Sequence, residues 1–175
     1  IWGLLRFVAM SNAIVSIRQL SKRFGPFQAL KEINLQVEQG DIYGFLGQNG
    51  AGKSTTMRCM LSLIRPDAGE IELFGQSLTT NRESILSRVG CLIEKPDFYK
   101  YLSAFKNLEL FSRISGKPSS RAEIMDMLEF VGLAGREKDL VGSFSHGMRQ
   151  RLGIAQTLLH DPDLIVLDEP TTGLD

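Results

Sequence analysis

Nine consecutive residues, Gly47-Gln48-Asn49-Gly50-Ala51-Gly52-Lys53-Ser54-Thr55, hold the densest chemistry in this sequence. They fit the pattern G-x-x-x-x-G-K-[ST], a loop built to hold phosphate groups. Glycines let the backbone curl and turn its N–H groups inward as an anion nest. A helix that starts at the end of such a loop aims its positive dipole end at the same point. Lys53 adds a flexible point charge for the β- and γ-phosphates, and Ser54 a hard oxygen for Mg²⁺, an ion that keeps several waters and takes few protein ligands. The expected ligand is a nucleoside triphosphate.

A second pair of chemically active residues, Asp168-Glu169, ends the apolar run Leu164-Ile165-Val166-Leu167. Asp168, at the carboxyl end of a strand, is placed to hold the Mg²⁺ shell, and Glu169 to polarise an attacking water. Phosphoryl transfer asks the protein mainly to orient that water and neutralise charge. Without the glycine loop, an exposed acidic turn would be the simpler reading.

These groups need elements to position them. Ile14–Leu20 is rich in β-branched residues and reads as a strand, and Lys22–Pro26 as a turn. Ile33–Val37 alternates as a half-buried strand, and Ile42-Tyr43-Gly44-Phe45-Leu46 reads as a short apolar strand leading into the loop. Met57, Met60, Leu61 and Ile64 share one helix face, ended by Pro66 and Gly69. Ile71–Phe74 and Val89–Ile93 read as further strands. Phe105, Leu108 and Phe111 mark one helix of an insert. Ser120-Arg121-Ala122-Glu123 is a capping box that opens another, with Ile124, Met127, Leu128 and Val131 on one face. Leu152, Ala155 and Leu159 mark a helix ahead of Asp161-Pro162. The apolar run Leu164–Leu167 fits a parallel strand covered on both faces.

The sequence has 175 residues, 20 basic and 20 acidic, with 43% apolar and 23% charged residues. This balance excludes intrinsic disorder, which needs low hydrophobicity and excess charge, and argues against a protein built mainly to hold nucleic acid. Cys59 and Cys91 stand in no metal or redox spacing and read as buried thiols in a reducing compartment. No run approaches the roughly 20 apolar residues that span a bilayer. Residues 1–9 are expected to be an upstream extension, with the domain starting near Met10.

A third motif completes the set. Phe144-Ser145-His146-Gly147-Met148-Arg149-Gln150-Arg151 resembles the signature of ATP-binding-cassette (ABC) ATPases, usually Leu-Ser-Gly-Gly-Gln, and Thr172-Gly173-Leu174-Asp175 resembles their D-loop. The resemblance covers about residues 14–175. It implies an α/β fold: a P-loop NTPase (RecA-like) core with an antiparallel β subdomain and a helical insert. The core would comprise 10–95 and 160–175, and the insert, with the signature, about 96–148. It further implies two domains packed head to tail around two ATP molecules with Mg²⁺. Ser145 and the Gly147 amide would face the partner protomer's γ-phosphate, on a helix starting near Met148.

The same resemblance makes Phe24 the aromatic that stacks on adenine; a core position is the competing reading. It places a transmembrane permease against the surface around Phe98, Tyr99 and Tyr101, residues that could equally be core. It puts the protein in the cytoplasm, peripheral on the inner face of the membrane, with no nucleic-acid partner expected.

Some positions depart from the family pattern. His146 and Met148 replace the usual Gly and Gln, although Ser-x-Gly-Met-Arg-Gln-Arg-Leu resembles the subgroup serving bacitracin and lantibiotic export or immunity. Glu94 stands where most members have Gln, and could still offer oxygen to Mg²⁺. The family's switch His would follow Asp175, and neither His146 nor His160, read as a helix C-terminal cap, replaces it. Weak turnover is therefore expected of residues 1–175 alone. The function expected is ATP hydrolysis that powers export of a drug-like or peptide substrate. The alternatives are a soluble ABC ATPase acting on nucleic acid or ribosomes, and a non-hydrolysing nucleotide-binding module.

Overall fold

The computed structural model describes residues 12–93 and 96–169. The chain divides into two compact units, Ile1–Ile85 and Leu86–Asp175. The expected upstream extension, Glu94 and the D-loop residues lie outside the described residues.

In the first unit, β1 (Ala13–Phe24) and β2 (Phe27–Glu38) form a long hairpin, followed by α1 (Lys53–Met60), β3 (Ala68–Leu73), β4 (Gln76–Ser77) and α2 (Arg82–Leu86). The four strands form one antiparallel sheet in the order β2-β1-β3-β4. Both hairpin strands are longer than their β-branched cores suggest, so Phe24 lies in β1 and only Gly25-Pro26 turns. β1 buries Val15 and Ile17, then Leu20, so its inward parity slips by one residue. The slip is a bulge: Gln19 has φ 51 and its N–H donates to Asn34 Oδ1 at 2.9 Å. Gly69 on β3 accommodates it, since a Cβ there would stand 2.6 Å from Gln19 O and from Leu20 Cα.

The expected strand at 42–46 does not form. A strand exists only where its backbone N–H and C=O groups find a neighbour, and among the described residues this segment pairs with none. Ile42 and Leu46 are almost fully exposed (103% and 95%). Tyr43 and Phe45 pack on each other instead, edge to face with centroids 5.6 Å apart.

The second unit contains β5 (Val89–Leu92), α3 (Ala104–Ile114), α4 (Arg121–Phe130), a 3-10 turn at Val141–Ser143, α5 (His146–Leu158) and β6 (Leu164–Leu167). β6 pairs with β5 in parallel, Val89 opposite Leu164 and Leu92 opposite Leu167. Parallel pairing was expected; cover on both faces was not found, since Ile165 remains 45% exposed beside a buried Val166. The helices share a core of Leu108, Ile124, Leu128, Val141, Phe144 and Leu152. Phe105, Phe111, Met127 and Val131 only flank it. Each long helix here starts on a serine whose Oγ accepts a first-turn N–H: Ser103 for α3, Ser120 for α4, Ser145 for α5. Such caps each contribute about 1 kcal/mol. The expected capping box is complete, with Glu123 N donating to Ser120 Oγ (3.2 Å) and Ser120 N to Glu123 Oε2 (2.7 Å).

Candidate nucleotide-binding site

The phosphate loop leads straight into α1. Gly52 is its N-cap with φ 88, and Gly50 has φ 86, backbone that side chains other than glycine rarely adopt. Gly52 is also confined by space: a Cβ would meet Leu30 Cδ2 at 2.6 Å and Ala29 O at 2.9 Å. No side chain caps α1. Its first-turn N–H groups are therefore left as donors, unlike those of the serine-capped helices. Gln48, Asn49, Gly50 and Ala51 are exposed, while Gly52, Lys53, Ser54 and Thr55 are half-buried. Lys53 Nζ donates to Gly47 O (2.7 Å) and Gln48 O (3.0 Å), which holds the ammonium over the loop. Thr56, deeper in the helix, donates its hydroxyl to Gly52 O at 3.0 Å.

Phe24 is 47% exposed, so it is not a core aromatic. It faces Phe27 across the hairpin tip. The tip and the loop are neighbours because Gly52 rests on Ala29–Leu30, and Phe27 is two residues along β2, about 7 Å at strand rise.

In the second unit, Asp168 extends the β5–β6 ladder, its N–H donating to Leu92 O at 2.9 Å. Glu169 follows with φ 48 on an exposed turn. A non-glycine residue held there stores about 1–3 kcal/mol of strain, a cost found at functional positions.

α5 begins at His146, two residues earlier than expected, because Ser145 caps it: Ser145 Oγ accepts from Met148 N at 3.2 Å. Gly147 thus lies in the first turn, where N–H groups lack helical acceptors. The Met148 side chain packs against the helical core, so it takes a packing role in place of the family's amide. α5 is seated on β5 through two glycines. A Cβ on Gly90 would lie 2.5 Å from Thr157 O, and one on Gly153 3.1 Å from Leu92 Cδ1. Helix and acid-bearing sheet are thereby fixed to each other.

The aromatics at 98–101 divide. Phe98 is buried, whereas Tyr99 and Tyr101 are exposed and pack edge to face at 5.8 Å. Asn107 holds their loop. Its Oδ1 accepts from Tyr99 N (2.9 Å), and its Nδ2 donates to Tyr99 O (3.1 Å), Leu102 O (3.3 Å) and Ser103 O (3.0 Å). Sequence reasoning missed Asn107, although a polar residue beside Ala104 and Leu108 on an apolar helix face was the available signal. It also passed over Asp67, whose carboxylate accepts from Lys22 Nζ (3.0 Å) and Arg23 N (2.7 Å) near the end of β1. Cys59 is buried but Cys91 is exposed, correcting the expectation for the latter. The α5 C-cap is Leu159, not His160, whose carbonyl accepts from Lys117 Nζ.

A glycine-led helix behind a phosphate loop and an acid pair closing a parallel strand define a P-loop nucleotide-binding domain. The chain belongs to the ABC transporter family, whose model matches residues 30–172. It is 49% identical over 164 residues to the bacitracin transport ATP-binding protein BcrA of Bacillus licheniformis, covering 94% of this chain and 53% of that protein. It is 38% identical over 168 residues to the daunorubicin resistance ATP-binding protein DrrA3 of Streptomyces coeruleorubidus, covering 95% and 53%. The chain thus spans about half the length of these curated relatives. A solved ATP-binding subunit of an ABC transporter matches with a TM-score of 0.81 at 29% identity, over 91% of this chain and 68% of that one. The fold is that of an ABC ATPase domain.

Proposed function

We propose that this chain binds and hydrolyses ATP to power a membrane exporter of a peptide or drug-like antimicrobial compound. The start of α1 carries the nucleotide reading. Among the described residues it alone of the helices of eight or more residues has no side-chain cap, and it has a glycine at the cap and a lysine held over the loop. A phosphate oxygen offers that lysine a full charge in place of two carbonyl dipoles, a stronger hydrogen bond. Export of an antimicrobial compound rests on the relatives named for bacitracin transport and daunorubicin resistance.

In this reading Phe24 stacks on adenine, and the amides of Gly47–Gly52 with Lys53, Ser54 and Thr55 enclose the phosphates. Ser54, Asp168 and Glu94 offer hydroxyl and carboxylate oxygens, the hard donors that suit Mg²⁺. When bound, that ion neutralises charge on the phosphate oxygens. Glu169 accepts a hydrogen bond from the attacking water and orients it. Ser145 and the Gly147 amide serve the nucleotide of a second protomer packed head to tail. A transmembrane permease docks at Tyr99 and Tyr101, which the buried Asn107 holds in place, and keeps the protein on the inner face of the membrane. Among the described residues no helix is long and apolar enough to cross a membrane.

The test is Lys53→Ala on the whole protein, with nucleotide affinity measured by calorimetry. Affinity should fall below detection; an unchanged Kd would refute the phosphate-loop assignment.

A further inference from the structure

The ring assigned to adenine has a cation fixed behind it. Lys22 lies two residues before Phe24 on the same face of β1, and its Nζ stands 5.5 Å from the Phe24 ring centroid, within cation–π range. A lysine on a four-carbon stem normally wanders in solvent, but this one is only 14% exposed and is anchored. Asp67 Oδ1 accepts from Lys22 Nζ at 3.0 Å, and Asp67 Oδ2 accepts from Arg23 N at 2.7 Å. A third bond, Asp67 N to Ser21 O at 2.9 Å, closes the clamp from the backbone. One aspartate therefore grips three successive residues of β1 just before Phe24. The Arg23 N–H and the Lys22 ammonium hold its carboxyl below the usual carboxylate range, so it is charged at neutral pH.

We propose that Asp67 and Lys22 are positioning residues for the nucleotide base: Asp67 pins the end of β1 and holds the Lys22 ammonium against Phe24, whose exposed side then receives adenine. This rests on the assignment of Phe24 as the stacking residue. The chemistry fits a phenylalanine in particular, because its ring has no hydroxyl to anchor it. Position and polarisation must then come from neighbours. The element between the two halves of the site is α1: the phosphate loop enters it and Asp67 follows its end, so one short helix connects phosphate cradle and base platform.

The test compares Mg-ATP with Mg-tripolyphosphate, which lacks the base, by calorimetry on the whole protein. Phe24→Ala should weaken ATP binding about tenfold and leave tripolyphosphate unchanged, the share expected for one base–aromatic stack. Asp67→Asn and Lys22→Met should each weaken ATP about two- to fivefold, again with tripolyphosphate unchanged. Lys22→Met keeps the Asp67–Arg23 bond, so it reads the cation even if Asp67→Asn disturbs the strand. Lys22→Arg should restore most of what Lys22→Met loses.

If Phe24→Ala changes the ATP-to-tripolyphosphate ratio but Asp67→Asn and Lys22→Met do not, the positioning role is overturned and the stacking role stands. Equal weakening of both ligands by Asp67→Asn and Lys22→Met would make the clamp merely structural and also overturn it. An unchanged ratio in Phe24→Ala removes the stacking assignment and the proposal with it.

Discussion

Replacing Gly90 by Ala tests how α5 is held on the acid-bearing sheet. The added Cβ would lie 2.5 Å from Thr157 O, 2.9 Å from Pro162 Cγ and 3.0 Å from Thr157 Cγ2. Comfortable contact needs about 3.5 Å, so strand and helix must part by about 1 Å. Neither main neighbour can rotate away, one being a helix carbonyl and the other a proline ring. Overpacking costs about 1–3 kcal/mol, and these rigid surroundings place the cost near the top, at about 3 kcal/mol. At about 2–4 °C per kcal/mol for a domain of this size, Tm should fall by about 6–12 °C. Gly153→Ala is the internal control. Its Cβ meets Pro96 Cβ at 3.0 Å, and Leu92 Cδ1, the far end of a side chain that can give, at 3.1 Å, with no contact as short as the 2.5 Å one to the Thr157 carbonyl. Mid-helix Ala gains up to about 1 kcal/mol over Gly, so the net change should stay within about 1 kcal/mol. Thermal and urea unfolding followed by circular dichroism read both. Gly90→Ala within about 0.5 kcal/mol of the parent, the range of a neutral surface change, would refute the seam. Equal losses in the two variants would refute the distinction between the 2.5 Å backbone clash at Gly90 and the 3.0–3.1 Å side-chain contacts at Gly153. Because α5 begins at the signature, a 1 Å shift should also lower turnover by about 100-fold.

Other outcomes follow from single groups. With Glu169 in the proposed role of orienting water, Glu169→Gln in the whole protein should abolish steady-state ATP hydrolysis and leave ATP affinity within about twofold; persistent turnover would remove it from that role. Ser120→Ala should cost about 1 kcal/mol in urea unfolding by opening the capping box of α4, and no loss would show that this helix end is held otherwise. The N–H and hydroxyl of Ser120 hold the Glu123 carboxyl below the ordinary 4.5. Its stabilisation is therefore complete above that pH and is lost as pH falls through the lower folded value. The stability gap between the parent and Glu123→Gln should close on acidification below about pH 4; a gap constant down to pH 2 would contradict the sign.

Much of the candidate site was legible as motifs because each motif is local. The loop 47–55, the acid pair and the capping box each lie within nine residues, and the structure places loop, helix and strand end in that order. What failed were properties supplied by distant chain. The segment 42–46 has the apolar content of a strand, but pairing needs a partner that periodicity does not name. The bulge at Gln19 depends on Asn34 and on a glycine fifty residues away. Phe24 could be read as core or platform until its exposure was known. Asp67 offered no sign of its reach, since its partners precede it by more than forty residues.

The segment 42–46 has a practical consequence. Ile, Tyr, Phe and Leu within five residues, uncharged, without proline and lacking a sheet neighbour among the described residues, make an adhesive strip. The formal net charge of zero supplies no long-range repulsion between molecules. Polypeptide of this sequence should therefore be colloidally fragile, clumping with rising concentration and salt well before its helices melt. Its solubility would then report whether that strip is covered.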